Sequence, residues 1–385
     1  MDCGIPEYEG RRVTSQGAAG HLTVDLDALA RNYQRLSAEV APARAAGVVK
    51  ADAYGLGAER VATRLYAQGC RLFFVAQYIE GKRLRPALPS DAQIFVLNGL
   101  QPGSELAAAQ DGIVPVVNSF EQLQRWSDTA NAVGRRLLAV LQFDTGMSRL
   151  GIPPEERTPV AGLLNAAHSI EILFIMSHLA SADEAQTGQN RDQLAEMSRI
   201  AGEFPELAVS FANSGGIFLG GAYHGALVRP GIALYGGAPT AGAPNPMEPV
   251  VSLEVAVVQT RTVPSGTKVG YGGTHITTDE THLATISVGY ADGFLRSLSG
   301  RGAVYCDGVR LPVVGRVSMD STTIDISSLP EGRLKLGSLV EVLGPHQTID
   351  DLARDAGTIS YEILTGLGDR FERRYRGAPR STVTG

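Results

Sequence analysis

Val48-Val49-Lys50-Ala51-Asp52-Ala53-Tyr54-Gly55 joins a short β-branched run to a lysine and then to a turn of small and polar residues. The run from Gly47 to Lys50 has the length and composition of a buried strand, so it delivers Lys50 at the strand's end. Outward from this point the same unit recurs. Apolar runs at Leu72 to Ala76, Ile94 to Leu97, Val114 to Val117, Leu137 to Phe143, Ile172 to Ser177 and Val209 to Ala212 are separated by stretches with helical periodicity. Strands that alternate with helices predict a parallel sheet. Seven such strands, with an eighth at Ile232 to Tyr235, over about 200 residues predict an α/β fold of the (β/α)8 TIM-barrel type rather than an open sheet.

A strand from His21 to Asp25 precedes the series, and Asp27 caps a helix whose Leu29, Tyr33 and Leu36 share one face. Residues 1–20 read as a mobile leader and residues 21–240 as the barrel, with strand 21–25 able to pair with a second domain. Gly236 to Pro249 holds four prolines and marks the boundary. Beyond it, Val251 to Thr262, Ala284 to Val288, Val313 to Val317 and Ser338 to Leu343 alternate like strands, and a helix is expected near Thr358 to Leu367. Residues 241–385 therefore read as a smaller, mainly β C-terminal domain.

With 385 residues, 44% hydrophobic and 19% charged, the chain is an ordinary globular one, long enough for two cores. A net charge of -6 argues against a nucleic-acid partner, and no run of about 18 apolar residues suits a membrane span. Cys3, Cys70 and Cys306 are odd in number and far apart, which excludes a disulfide framework and a C-x-x-C metal motif. No metal site and no secretory signal are expected, and the location expected is the cytoplasm.

Chemistry in a barrel sits at the C-terminal ends of the strands, and Lys50, Arg149, His178 and Ser214 fall at or just past those ends. A lysine delivered into a partly desolvated mouth has a lowered pKa and can attack an aldehyde. Alone it would read as a surface lysine at a strand end. Around it, Phe143-Asp144-Thr145-Gly146-Met147-Ser148-Arg149-Leu150-Gly151, Ser177-His178-Leu179-Ala180-Ser181-Ala182-Asp183-Glu184, Ala212-Asn213-Ser214-Gly215-Gly216 and Arg229-Pro230-Gly231-Ile232-Ala233-Leu234-Tyr235-Gly236 follow in order. The C-terminal part adds Val269-Gly270-Tyr271-Gly272, Val288-Gly289-Tyr290-Ala291-Asp292-Gly293, Gly315-Arg316-Val317-Ser318-Met319-Asp320 and Ile359-Ser360-Tyr361-Glu362.

Together these segments resemble those of the alanine racemases, barrel-type enzymes that use pyridoxal 5'-phosphate (PLP), over nearly the whole chain after residue 20. The resemblance implies an isomerase (EC 5.1.1.1) that interconverts L- and D-alanine, acts as a homodimer with composite active sites, and supplies D-alanine for peptidoglycan. It implies that Lys50 holds the cofactor and serves one face of the substrate while Tyr271 of a second copy serves the other. A free tyrosine has a pKa of about 10, so that role calls for nearby positive charge. By the same resemblance Arg229 faces the cofactor's ring nitrogen and His178 hydrogen-bonds Arg229. Tyr54, Asn213, Ser214, Gly231, Ile232 and Tyr361 bind the cofactor, mainly at its phosphate. Arg149 contacts cofactor and substrate carboxylate, Met319 and Asp320 lie near that carboxylate, and Tyr290 guards the entry.

Two positions depart from the family. Gln142 stands where many members carry a carbamylated lysine, so Arg149 is expected to be held by Gln142 or by a small anion. Leu56 replaces a common histidine and removes a polar neighbour of the phosphate. A racemase of serine or of broad specificity would share every motif. A non-catalytic PLP carrier would lack the second domain, and a barrel decarboxylase or aldolase would bring different motifs there.

Overall fold

The computed structural model describes residues 17–166 and 168–377, which divide into two compact units: Leu26–Glu248, and a second in which residues 17–25 join the chain from Pro249 onward. Residues 1–16 of the expected leader lie outside the described residues.

In the first unit, parallel strands follow one another round a ring: Gly47–Val48, Leu72–Val75, Gln93–Val96, Val114–Val117, Leu137–Gln142, Ile170–Met176, Ala208–Asn213 and Leu227–Arg229. The ring closes through the first stave. Its leading piece, Arg44–Ala45, pairs with Leu227 and Val228, while Gly47 and Val48 pair with Phe73 and Phe74. Ala46 N–H donates to Val228 O between the two pieces, so one extended segment bonds to both neighbours and leaves no free sheet edge. Phe74 and Phe95, on adjacent staves, both meet the ring of Phe174 from across the barrel, at centroid separations of 6.5 and 5.4 Å. Rings meeting from non-adjacent staves mark a packed interior rather than a pore.

The last stave differs from expectation. Ile232–Tyr235 is a short 3-10 helix, not a strand, and the eighth stave is Leu227–Arg229. Pro230 cannot donate a ladder hydrogen bond, and Gly231 takes φ -121°, ψ -89°, outside the strand region; the chain therefore leaves the sheet directly after Arg229. The apolar run at 232–235 is buried, but as a helical turn.

In the second unit the strand Gly20–Asp25 pairs antiparallel with Val251–Val255 and parallel with Glu372–Arg376. The long strand Val251–Val263 is the hub: its first half also pairs with Leu339–Leu343 and its second half with Thr281–Ile286, which in turn pairs with Thr322–Asp325. A hairpin, Ala303–Cys306 with Val309–Pro312, extends the sheet. The run Val313 to Val317 does not form the expected strand; it contributes a single bridge, Val313 to Ile324. The C-terminal helix is Ser360–Gly366.

Two loops of this unit are fused by backbone. Tyr290 and Ala291 N–H groups donate to Ser318 O and Met319 O at 3.1 and 3.0 Å. The approach is allowed by Gly289, where a Cβ would lie 2.3 Å from both of those carbonyl oxygens. The flanking chain on both sides is backbone and cannot swing aside. Gly289→Ala is therefore expected to cost about 2 kcal/mol or more and to lower the thermal unfolding midpoint, read by circular dichroism; an unchanged midpoint would show that the two loops are free to separate.

Candidate active site

Lys50 begins a turn in which four consecutive non-glycine residues are left-handed: Ala51, Asp52, Ala53 and Tyr54 have φ between 52° and 58°. Each costs about 1–2 kcal/mol relative to the right-handed form, so the surrounding structure must hold the turn. Ala53 N–H donates to Val49 O, Gly57 N–H to Asp52 O, and the Asp52 carboxylate accepts from Ala58 N at 2.7 Å, at the start of the helix Ala58–Ala67. The turn sends Tyr54 inward, where it is buried with its ring 4.7 Å from that of Tyr235. The Tyr235 hydroxyl donates to Val48 O at 2.8 Å, locking the stave that delivers Lys50.

Burial, and then the cationic Arg149, pull the Lys50 pKa below its ordinary value of 10.5, while the Glu80 carboxylate opposes them. His178 is pushed down to about 3 by burial and by the positive charges of Arg229, Arg149 and Lys50. These four side chains thus converge at one end of the barrel. Among their influences only Glu80 is negative. A partly buried cluster of basic groups with so little countercharge is a ready site for an anion.

Arg229 is 3% exposed and has no carboxylate partner among the described residues. It donates to Ser210 Oγ and Ser177 O, both at 2.6 Å, and to Phe211 O at 3.3 Å, leaving two of its five N–H groups uncommitted to these bonds. The expected hydrogen bond from His178 is not among them. The last stave ends at Arg229, so its guanidinium reaches the oxygens of the two preceding staves, and His178 acts on it as a neutral neighbour.

Arg149 rides on a loop built by Asp144, whose carboxylate accepts from Gly146, Met147 and Ser148 N–H at 2.9 to 3.2 Å. Gly151 closes this loop so tightly that a Cβ would lie 2.6 Å from Asp144 N. Arg149 is exposed, and among the described residues its guanidinium makes no hydrogen bond or ion pair. Gln142 is buried on its strand and does not bond Arg149, which removes one of the two supports expected for it. Leu56 is fully buried in the core.

Ser214 joins the two glycine-bearing segments: its Oγ accepts from Gly231 N at 2.9 Å and Ala233 N at 3.3 Å, beside the buried Ile232. Asn213 spans Leu179 O and Gly216 N. A Cβ on Gly231 would lie 2.2 Å from Tyr54 Oη, and one on Gly215 would lie 2.7 Å from Ala182 C. The resulting cradle is lined by hydroxyls and bare backbone, beside the cations.

Tyr271, Tyr290, Met319, Asp320 and Tyr361 belong to the second unit, and all but Asp320 are large exposed side chains of apolar or aromatic character. Tyr271 is 71% exposed, on a turn between Gly270 and Gly272. Arg316 packs over that turn, since a Cβ on Gly272 would lie 3.3 Å from its Nη1. Asp320 is paired with Arg370 at 2.7 Å, and Arg370 also grips Asp292 at 2.6 and 2.8 Å. Arg316 and Arg370 went unread in the sequence: Arg316 places its guanidinium over the Tyr271 turn, and Arg370 pairs with Asp320 and ties the Tyr290 loop to the Met319 loop.

A barrel whose mouth presents a depressed lysine, three further basic groups and a glycine-bounded hydroxyl cradle defines a lysine-dependent enzyme that takes a phosphorylated aldehyde cofactor. Two family models match the chain: alanine racemase, N-terminal domain, over residues 24–239, and alanine racemase, C-terminal domain, over residues 250–375. The chain belongs to the alanine racemase family. It is 68% identical over 377 residues to a catabolic alanine racemase of Rhizobium johnstonii, covering 98% of this chain and 100% of that one. With a catabolic alanine racemase of Agrobacterium fabrum it shares 57% identity over 365 residues, 95% and 94% of the two chains. An alanine racemase from Bartonella henselae, solved with covalently bound pyridoxal phosphate, superposes with a TM-score of 0.90 at 43% identity, covering 93% of this chain and 100% of that one.

Because the His178 pKa is depressed in the folded chain, unfolding takes up a proton between about pH 3 and 6.5, and stability falls as pH drops through that window. His178→Gln is expected to flatten the decline between pH 6.5 and 4.5 by roughly 1–2 kcal/mol, after allowing for partial solvent access. Parallel pH profiles of urea unfolding for the two proteins would show instead that His178 titrates normally.

Proposed function

We propose that this chain is a PLP-dependent alanine racemase that works as a homodimer, carried above all by Lys50, a primary amine placed at a stave end with its pKa depressed by burial and by Arg149. The cofactor fits the residues present. Lys50 would hold its aldehyde carbon; Ser214, Tyr54, Tyr361, Asn213 and the Gly231-Ile232 backbone its phosphate; Arg229, through its uncommitted N–H groups, its ring nitrogen. When bound, PLP would supply an electron sink for the substrate's Cα, which would make the α-hydrogen removable.

The residues of the chain then divide the work. Arg149, whose guanidinium has no hydrogen-bond or ion-pair partner among the described residues, pairs with the substrate carboxylate and fixes its orientation. Arg229, whose pKa burial lowers to about 9, would still be charged at neutral pH and would leave a ring nitrogen facing it unprotonated, which would temper the electron withdrawal and disfavour side reactions. Lys50 Nζ, whose pKa burial and Arg149 lower, takes or gives the proton on one face of Cα. Tyr271 Oη of a second copy serves the opposite face, and Arg316 packs over the turn that carries it. Two groups on opposite faces are required because one alone would return the proton to the side from which it came. The exposure of Tyr271, Tyr290 and Met319 in the single chain supports their being covered by a second copy. Arg370 holds Asp320 neutralised, so a substrate carboxylate can approach it.

Alanine is the substrate favoured by the relatives' names. The word catabolic in two of them supports alanine breakdown, rather than peptidoglycan supply, as the setting. The free, buried Cys70 and Cys306 fit a cytoplasmic enzyme, and no helix among the described residues is long and apolar enough to cross a membrane.

Purified protein should show the visible absorption of bound PLP. Lys50→Ala should lose both that band and racemisation, whereas Tyr271→Phe should keep the band and lose at least about a hundredfold in racemisation, unequally for the two enantiomers. Full activity of Tyr271→Phe in both directions would overturn the assignment. Rates measured side by side on alanine, serine and lysine separate a strict alanine enzyme from one of broad specificity.

A further inference from the structure

The peptide that follows Lys50 is held from outside its own turn by one carboxylate. Glu80 Oε1 accepts the Ala51 N–H at 2.6 Å, and Oε2 accepts from Ala76 and Gln77 N–H at 2.7 and 2.9 Å. Glu80 thereby bridges the end of the strand Leu72–Val75 to the first left-handed residue of the turn. A simpler role is open to it, because Glu80 is the third residue of the helix Tyr78–Leu84, where a glutamate commonly caps the preceding backbone. That role uses only Oε2. The bond from Oε1 to Ala51 does nothing for the helix, and it fixes the peptide attached directly to Lys50.

The energetics give the bond a purpose. Four left-handed non-glycine residues would relax to right-handed or extended forms if nothing opposed them, and any such change re-aims the Lys50 side chain. A charge-assisted hydrogen bond at the turn's first amide is well placed to oppose it. Glu80 is also the one carboxylate that acts on Lys50, against Arg149.

We propose that Glu80 is a positioning residue for the cofactor lysine: its carboxylate pins the left-handed turn at Ala51 and so aims Lys50 into the barrel mouth. The inference rests on the reading of Lys50 as the PLP lysine.

The test is the rate at which apoprotein takes up added PLP, followed by growth of the visible band across neutral to alkaline pH. Wild type should take up PLP. Glu80→Gln should slow the alkaline plateau roughly tenfold, the effect of losing one charge-assisted hydrogen bond. Adding Ala51→Gly to Glu80→Gln should restore most of the rate, because glycine adopts positive φ without penalty; a capping role would give no such rescue. If Glu80→Gln is insoluble, Glu80→Asp can keep the contacts at 76 and 77 but falls short of Ala51, and it should show the same slowing and the same rescue. Uptake unchanged in the variants, even with a lowered unfolding temperature, would overturn the proposal, as would slowing that glycine at 51 does not relieve. Failure of wild type to take up PLP would sink the reading of Lys50 itself, and this inference with it.

Discussion

The site depends on the free-energy penalty of gathering several basic groups at one partly enclosed end of the barrel. Lys50, Arg149 and Arg229 act on His178 there and Arg149 acts on Lys50, and Arg229 is almost wholly enclosed with no carboxylate partner among the described residues. In such a setting each group is driven toward its neutral form or toward an anionic guest. Burial brings the His178 imidazole down to about 3 and the Arg229 guanidinium down to about 9, and it lowers the Lys50 amine as well. Near neutral pH a weakened amine then lies beside a guanidinium that is still charged. The same setting explains why the cradle by Ser214 and Gly231 is made of hydroxyl and backbone rather than acid: a carboxylate there would neutralise the cations and repel a phosphate.

The fold meets this penalty with rigid supports. Three loops that carry site residues are each closed by a polar side chain: Asp144 gathers the amides ahead of Arg149, Ser214 draws in Gly231 and Ala233, and Asp292 with Arg370 fastens the Tyr290 turn. The Lys50 turn is the most strained of them, and it follows the stave that closes the barrel. Strain at that point is tolerable because the stave is bonded on both sides and the Tyr235 hydroxyl fastens Val48.

Much of the barrel was legible in the sequence because most staves are short, largely buried apolar runs bracketed by helical periodicity. The eighth was misplaced, since Ile232–Tyr235 is as apolar as a stave while the true one, Leu227–Arg229, is three residues long and ends in a charge. The Val313–Val317 run failed for a related reason: alternation signals one buried face, which an irregular segment with a single bridge also has. Lys50, Arg149, His178 and Arg229 could be nominated from position and motif, and the structure brings them together. Which atoms they bond could not be read. Arg229 turns to Ser177 and Ser210 rather than to His178, and Arg370 reaches Asp320 across fifty residues of chain. Glu80 was hidden in an ordinary helix start.

The most direct measurement of the central claim is the ionisation of Lys50 in the cofactor-free protein, obtained by reductive 13C-methylation and the pH titration of the methyl resonance assigned through Lys50→Ala. The account predicts a midpoint clearly below the ordinary lysine value of 10.5, rising again when Arg149 is replaced by glutamine. A midpoint at or above the ordinary value, indifferent to residue 149, would contradict it.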